Sequence, residues 1–430
     1  MVYANDFIRS SDSETLNAAI LARGADGIVI IEPRTARSEP ERRHWLLDEA
    51  ILLPSDVTVI LRNCTLKLSD KCRDNFFRSA NCGLGIEENE PLSNIHIKGE
   101  GRAVLEGADH PRASGDGSKV IKRPCPYEVA DICKYADWVP EERKTPEQIT
   151  HSDRHSCSYG TDAGNENESQ KGDWRGIGIL FAMVDHFSIS GITIRESHGW
   201  GISLEACSEG YIERICFDAR MSKMIDGMLQ NMENQDGIDL RNGCHDISIS
   251  DISGETGDDV VALTAIKSKV YRKGGSLCST QVMHNDWTRR DPDIYNVIIR
   301  NVRAYSSLCF IVRLLPCESQ IRNVVIDGII DTSPDGSSFG GGILLGEWDG
   351  NYGKNLPGGL KNITISNVLT RNSKESITVV GYLEDSAISN VVSTNKEQSP
   401  ILLRRKGALK NVSITNVVAK EGVEPVEHRY

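Results

Sequence analysis

A chain of 430 residues, 39% hydrophobic and 26% charged, has ample material for a large core, as one long repeat or as two or three domains. Its net charge of −12 gives it no electrostatic reason to bind nucleic acid or acidic membranes, and no apolar run is long enough to cross a bilayer. Aromatic residues are only 6%, while Gly, Ile, Val, Asn and Ser recur throughout, which suits stacked short strands better than a helical bundle. The N-terminus carries no hydrophobic signal core, so the expected location is cytoplasmic unless a leader has been removed. Twelve scattered cysteines without a Cys-x-x-Cys pair argue against structural zinc and for free, buried thiols; no metal or cofactor is expected.

In chain order, Leu16, Ala19, Ile20 and Ala22 predict an amphipathic helix with Asp12 or Ser13 as N-cap and Gly24 as its stop. Ile28 to Ile31 follows as a buried strand, closed by Pro33. A helix ahead of the first strand is what the open end of a solenoid needs to keep water off its interior. Strands are predicted at Val57–Leu61, Cys64–Leu68, Ile95–Gly99 and Gly101–Gly107. Residues 108–172 then break the pattern and read as an inserted loop or lid, a length that usually signals function or disorder.

Beyond it one template repeats: an alternating strand, a small or amide residue, then another apolar residue. Its central isoleucines are Ile189, Ile249, Ile299, Ile326, Ile365, Ile388 and Ile414. Alternation puts one face inside, and the Asn or Gly takes a left-handed bend. Hairpin dipeptides are almost absent between repeats, which favours coils over a sandwich. The predicted fold is all-β: a single-stranded, right-handed parallel β-helix with an N-terminal capping helix, one domain over residues 1–430.

The candidate site lies in the middle of the chain. Asp236, in Asn234-Gln235-Asp236-Gly237, and Asp258, in Gly257-Asp258-Asp259, are 22 residues apart, about one coil. Stacked coils lie roughly 4.8 Å apart, so Asp236, Asp258 and Asp259 would crowd one patch and hold at least one proton near neutral pH. That is a general acid beside a general base. Single aspartates next to glycines more often cap turns or bind calcium; clustering at coil spacing points to catalysis instead.

These motifs resemble those of the polygalacturonase family of glycoside hydrolases, within the pectin-lyase-like β-helices. Asn234-Gln235-Asp236-Gly237 is similar to the family's Asn-Thr-Asp-Gly, and Gly257-Asp258-Asp259 to its Gly/Gln-Asp-Asp. Residues 12–33, Gly99–Gly107, Trp174–Phe181 and Ser197–Ile202 resemble further family segments. The resemblance implies that Asp258 protonates the leaving oxygen while Asp236 and Asp259 hold the attacking water, with inversion. It puts Arg313 at the arginine of the family's Arg-Ile-Lys, associated with binding a uronate carboxylate. The lysine is replaced by Leu315, and the family's Gly-His-Gly coil is missing, with His284 the nearest histidine inside an insertion at 266–293.

Further candidates for substrate contact are Asp239 and Arg241, which equally suit an ion pair behind the acids, and His198 and Trp200, which suit a sugar cleft or the core. Trp348 is a candidate subsite wall, with Glu347 beside it as an extra carboxylate. The expected activity is hydrolysis of a glycosidic bond in an oligo- or polysaccharide, possibly by exo attack and possibly on a uronate. The alternatives are a polysaccharide lyase, a fructan- or glucan-directed transglycosylase, and a non-catalytic carbohydrate-binding β-helix. Lyases on this fold use calcium and a Lys or Arg base, and no lysine sits in the acid cluster.

Overall fold

The computed structural model describes residues 1–35, 39–111, 118–120, 169–171, 174–267, 291–335, 337 and 340–430, less positions 71, 73, 84, 85, 87, 226, 233 and 349–352. Most of the expected lid at 108–172, the insertion at 266–293 and His284 therefore lie outside the described residues. Two compact units emerge: Met1–Ser203 with Asp218–Gln235, and Leu204–Phe217 with Asp236–Val270 and Asn285–Tyr430. The fold is a right-handed parallel β-helix with an N-terminal capping helix. Among the described residues no helix is long and apolar enough to cross a membrane.

In the first unit the helix spans Asp12–Leu21, shorter at its end than Gly24 implies, with Ala22 as C-cap. Its N-cap is Ser11, whose hydroxyl accepts the Glu14 N–H at 3.1 Å, not Asp12 or Ser13. Asp12 is buried instead, and its carboxylate meets Arg34 at 2.7 Å and Arg42 at 2.5 Å. A carboxylate with two guanidinium partners is worth more there than a cap that a neighbouring serine can supply. Leu16, Ala19 and Ile20 are buried as expected, whereas Ala22 is exposed.

Three parallel ladders follow. One pairs Val2–Tyr3, Ile28–Ile31, Val57–Arg62, Leu92–Glu100 and Val184–Ser190 in succession. A second pairs Trp45–Leu47, Thr65–Leu68, Val104–Glu106 and Thr193–Arg195. The third pairs Ile51–Leu53, Phe77–Ser79 and Ile179–Ala182. Each winding of the chain adds one strand to each ladder, so neighbouring strands run parallel with no hairpin between them.

The second unit repeats the scheme with longer strands. His245–Thr256, Ile294–Ser306, Ile321–Asp331, Leu360–Thr370, Leu383–Ser393 and Leu409–Val418 pair in order. The template isoleucines form one in-register column, Ile249, Ile299, Ile326, Ile365, Ile388 and Ile414. All but the last are at most 1% exposed, and each fully buried side chain contributes about 1.5–3 kcal/mol.

The bends fall where the amides are: Asn301, Asn367, Asn390 and Asn416 have φ near +55°, and Gly328 takes the same corner at +74°. Their side chains hydrogen-bond along the stack, Asn416 to Asn390 at 3.1 Å and Asn390 to Asn367 at 3.2 Å. A second ladder joins Asn296 to Asp246, Asn323 to Asn296 and Asn362 to Asn323 at 2.8–3.0 Å. The other face of this unit is a parallel ladder of Ile238–Arg241, Val261–Ile266, Phe310–Cys317, Gly341–Leu345, Ile377–Val379, Ile401–Leu403 and Val426–His428. It carries the candidate site. Six of the eight described cysteines are buried.

Candidate active site

The acid cluster is assembled by register. Ile238 pairs with Val261 and Asp239 with Ala262, an offset of 23 residues. The Gly237 N–H donates to the Asp259 carbonyl at 2.8 Å, so Asp236 stands beside Asp259 more than beside Asp258. Gly237 makes this approach possible, since a Cβ there would lie 2.4 Å from the Val260 carbonyl oxygen. Ala262 in turn pairs with Arg313, 51 residues on, so Arg313 sits on the coil immediately after the acids.

Four aspartates share this patch, and burial separates them. Asp236, Asp239 and Asp259 are 6%, 2% and 1% exposed, while Asp258 is half-buried. Burial, then the charges of Asp258, Asp239 and Asp259, holds the Asp236 carboxyl well above the usual carboxylate range. Burial also raises Asp239 well above that range, and Asp259 and Asp258 add to the effect, although the Arg241 guanidinium pulls the other way. Asp259 is pushed up to about 7 by burial, against the opposing pull of Arg313. Asp236 Oδ1 and Asp239 Oδ2 have no hydrogen-bond partner among the described residues, a costly state for a buried charge and a tolerable one for a neutral acid. Burial and the crowding of like charges thus act in the same direction on the three buried carboxyls.

Arg313 ties the cluster to the next coils. Its Nη1 donates to Asp259 Oδ2 at 3.2 Å, and its Nη2 donates to Glu347 Oε2. The Phe310 N–H donates to Asp259 Oδ1 at 2.9 Å, which fixes that carboxylate from both sides. Glu347 is fully buried, its Oε1 accepts the Trp348 N–H at 2.9 Å, and its own N–H donates to Asn355 Oδ1 at 3.0 Å. Gly346, at φ +96°, turns the chain inward here, and a Cβ would meet Gly381 N at 2.2 Å. Arg313 thus spends its fork on two buried carboxylates. Leu315, at the place of the missing lysine, is buried beside Thr264.

The remaining candidates separate. Arg241, 1% exposed, is the largest fully buried side chain and lies on the Asp239 strand as a counter-charge. Trp348 is 42% exposed. His198 and Trp200 belong to the first unit and are buried; His198 Nε2 accepts the Ala108 N–H at 2.9 Å, a contact that holds the chain.

Two residues escaped the sequence reading. Asn355 braces Glu347, and Cys309 lies against the acids, its thiol and one oxygen each of Asp258 and Asp259 within 4.8 Å of one another. Matching Val261-x-Leu263 to Val312-x-Leu314 is the signal that puts Cys309 beside Asp258. Burial and the two carboxylate charges push its thiol well above the ordinary value, so it stays neutral. Among the described residues, Asp258, Asp259 and Cys309 are the group whose atoms could close on a metal ion.

Residues 156–280 match the family model for glycosyl hydrolases family 28. No curated protein sequence matches the chain. Among solved structures, the exopolygalacturonase of Thermotoga maritima shares 15% identity at a TM-score of 0.50, over 100% of this chain and 92% of that one. PfbA, a surface adhesin of Streptococcus pneumoniae, shares 13% at 0.50, over 99% and 87%. The tailspike protein of E. coli bacteriophage HK620, solved with a pentasaccharide, shares 14% at 0.51, over 95% and 66%. The chain thus has the parallel β-helix fold that the exopolygalacturonase, the adhesin and the phage tailspike also have, and its likeness to glycosyl hydrolases family 28 is carried by residues 156–280.

Proposed function

We propose that the chain is a glycoside hydrolase that cleaves an oligo- or polysaccharide with its clustered aspartates. The observation that carries this is a patch of four carboxylates from adjacent coils, one of them titrating near 7 and one of them, Asp258, open to a substrate. Glycoside hydrolysis needs one carboxylic acid to protonate the leaving oxygen and one carboxylate to activate water or attack carbon. Asp258 is the group with the surface to reach the leaving oxygen. Asp236 and Asp259 hold the attacking water, which gives inversion. Because Asp236, Asp239 and Asp259 lie within one another's charge, their protons belong to the three together and not to one residue. Arg313 and Arg241 keep the patch from becoming neutral throughout, so that a carboxylate remains to act as base.

The low identity of the solved relatives shows the fold alone, and an adhesin shares it as well as an enzyme does. A non-catalytic saccharide-binding role is therefore the second reading. Incubation with a panel of plant and microbial oligosaccharides separates these and the remaining alternatives. Hydrolysis releases reducing ends with no new ultraviolet absorbance, whereas a lyase product absorbs as an unsaturated uronide and a transglycosylase leaves cyclic or anhydro sugars. Binding with no new product on any substrate would leave only the second reading.

A further inference from the structure

Neighbouring residues of a strand send their side chains to opposite faces, so adjacent carboxylates seldom converge. Asp258 and Asp259 do converge, because they stand in the turn before the strand Val261–Ile266 and not inside it. One oxygen from each lies with the Cys309 sulfur in a triangle no wider than 4.8 Å. The register supplies the third corner. Val261 pairs with Val312, and carried back along both strands that offset of 51 residues sets Asp258 against Cys309.

The backbone holds these corners in place. The Asp259 N–H donates to Asp258 Oδ1 at 3.0 Å, and Thr256 Oγ1 donates to the Asp258 carbonyl at 2.6 Å. The Cys309 N–H donates to the buried Ser306 Oγ at 2.8 Å, and its carbonyl accepts the Gly341 N–H at 3.0 Å. Asp259 accepts from Phe310 and Arg313, yet each carboxylate oxygen keeps a second lone pair. Asp258 and Cys309 are half-buried, so an ion can reach the triangle from their side.

A second observation points to a cation. Asp236 is 6% exposed, its Oδ1 has no hydrogen-bond partner among the described residues, and Asp258 is the charge that acts on it most strongly. Asp239 Oδ2 is left in the same state. Four aspartates thus share the patch with two guanidiniums, and one of these, Arg313, also answers Glu347. Protons can make up the difference, and so can a divalent ion.

We propose that Asp258, Asp259 and Cys309 form a binding site for a thiophilic divalent cation of the zinc and cadmium class, and that the bound ion shuts off hydrolysis. Carboxylates alone would suit calcium or magnesium. Sulfur at the third corner turns the preference to zinc, whose tetrahedral shell accepts sulfur and oxygen with water in the fourth position. On binding, the ion displaces the Cys309 thiol proton to solvent and the sulfur joins it as thiolate. Asp258, ligated to the ion, then has no proton to give a leaving oxygen. The inhibition rests on the hydrolase reading above; the binding does not.

Titration of the metal-free protein with Zn²⁺ and Cd²⁺ tests both. The tightest equivalent of Cd²⁺ is expected to bring up the ultraviolet charge-transfer band of a cadmium–thiolate bond. Cys309→Ser should bind that equivalent at least about tenfold more weakly and without the band. Asp258→Asn, which keeps the thiol and changes a half-exposed side chain, should weaken binding as well. Zn²⁺ should raise the melting temperature of the unchanged protein and not that of Cys309→Ser. Zn²⁺ should also stop reducing-end release, a chelator should restore it, and Cys309→Ser should hydrolyse as before and resist zinc. A band of equal strength in Cys309→Ser, or affinities unmoved by either substitution, overturns the site. Binding that needs Cys309 but leaves hydrolysis untouched overturns the inhibition. Cys309-dependent binding in a protein that releases no reducing ends upholds the site and removes the hydrolase reading; hydrolysis that zinc inhibits equally in Cys309→Ser does the reverse.

Discussion

Asp236 and Asp259 place a thermodynamic cost inside the fold. A carboxyl whose folded pKa is raised holds a proton that the unfolded chain gives up, so stability falls as pH climbs from the unfolded value, about 4, toward the folded one. For Asp259 that window closes near 7, and for Asp236 it likewise extends upward from the usual carboxylate value. Asp236→Asn is therefore expected to raise the melting temperature more at pH 8 than at pH 5, while turnover is lost at both. Equal effects at the two pH values would show that the Asp236 proton is not linked to folding. Arg313 acts in the opposite sense, as the cation that holds Asp259 down. Arg313→Gln leaves two buried carboxylates without their partner and should cost about 3–5 kcal/mol, read by urea unfolding. In Arg313→Lys, which keeps a charge but not the fork, the activity limb set by Asp259 should move to higher pH.

Element by element, the corners of the long strands do most to specify the coil. Asn390 sits at φ +55° with its amide bonded to both neighbouring corners. Asn390→Ala should cost about 1–2 kcal/mol, and Asn390→Gly less, because both lose the ladder amide but only alanine also carries the left-handed penalty. Equal urea midpoints for the two variants would mean that the ladder, not the bend, carries the corner. These corners were legible in the sequence because an amide or glycine recurs after each alternating strand, and six of the seven isoleucine anchors, all but Ile189, align in one column. The three acids were legible because Asp236 and Asp258 fall one coil apart. The Arg313–Glu347 bridge and Cys309 were not, since Val261 pairs with Val312 across 51 residues and coil spacing no longer guides the eye. The N-cap escaped for a different reason: Asp12 looks like a cap in sequence and is taken by two arginines in the structure.

For the whole molecule, the solenoid is a scaffold that says little about its task. The same fold carries an exopolygalacturonase, an adhesin and a tailspike, so function has to be argued from the carboxylates that neighbouring coils bring together. The most direct measurement is reducing-end release from a responsive oligosaccharide by Asp258→Asn beside the unchanged protein, with melting curves taken on both. The account predicts a fall in turnover of about 10²–10⁴-fold at an unaltered melting temperature. Undiminished release by the variant would contradict it.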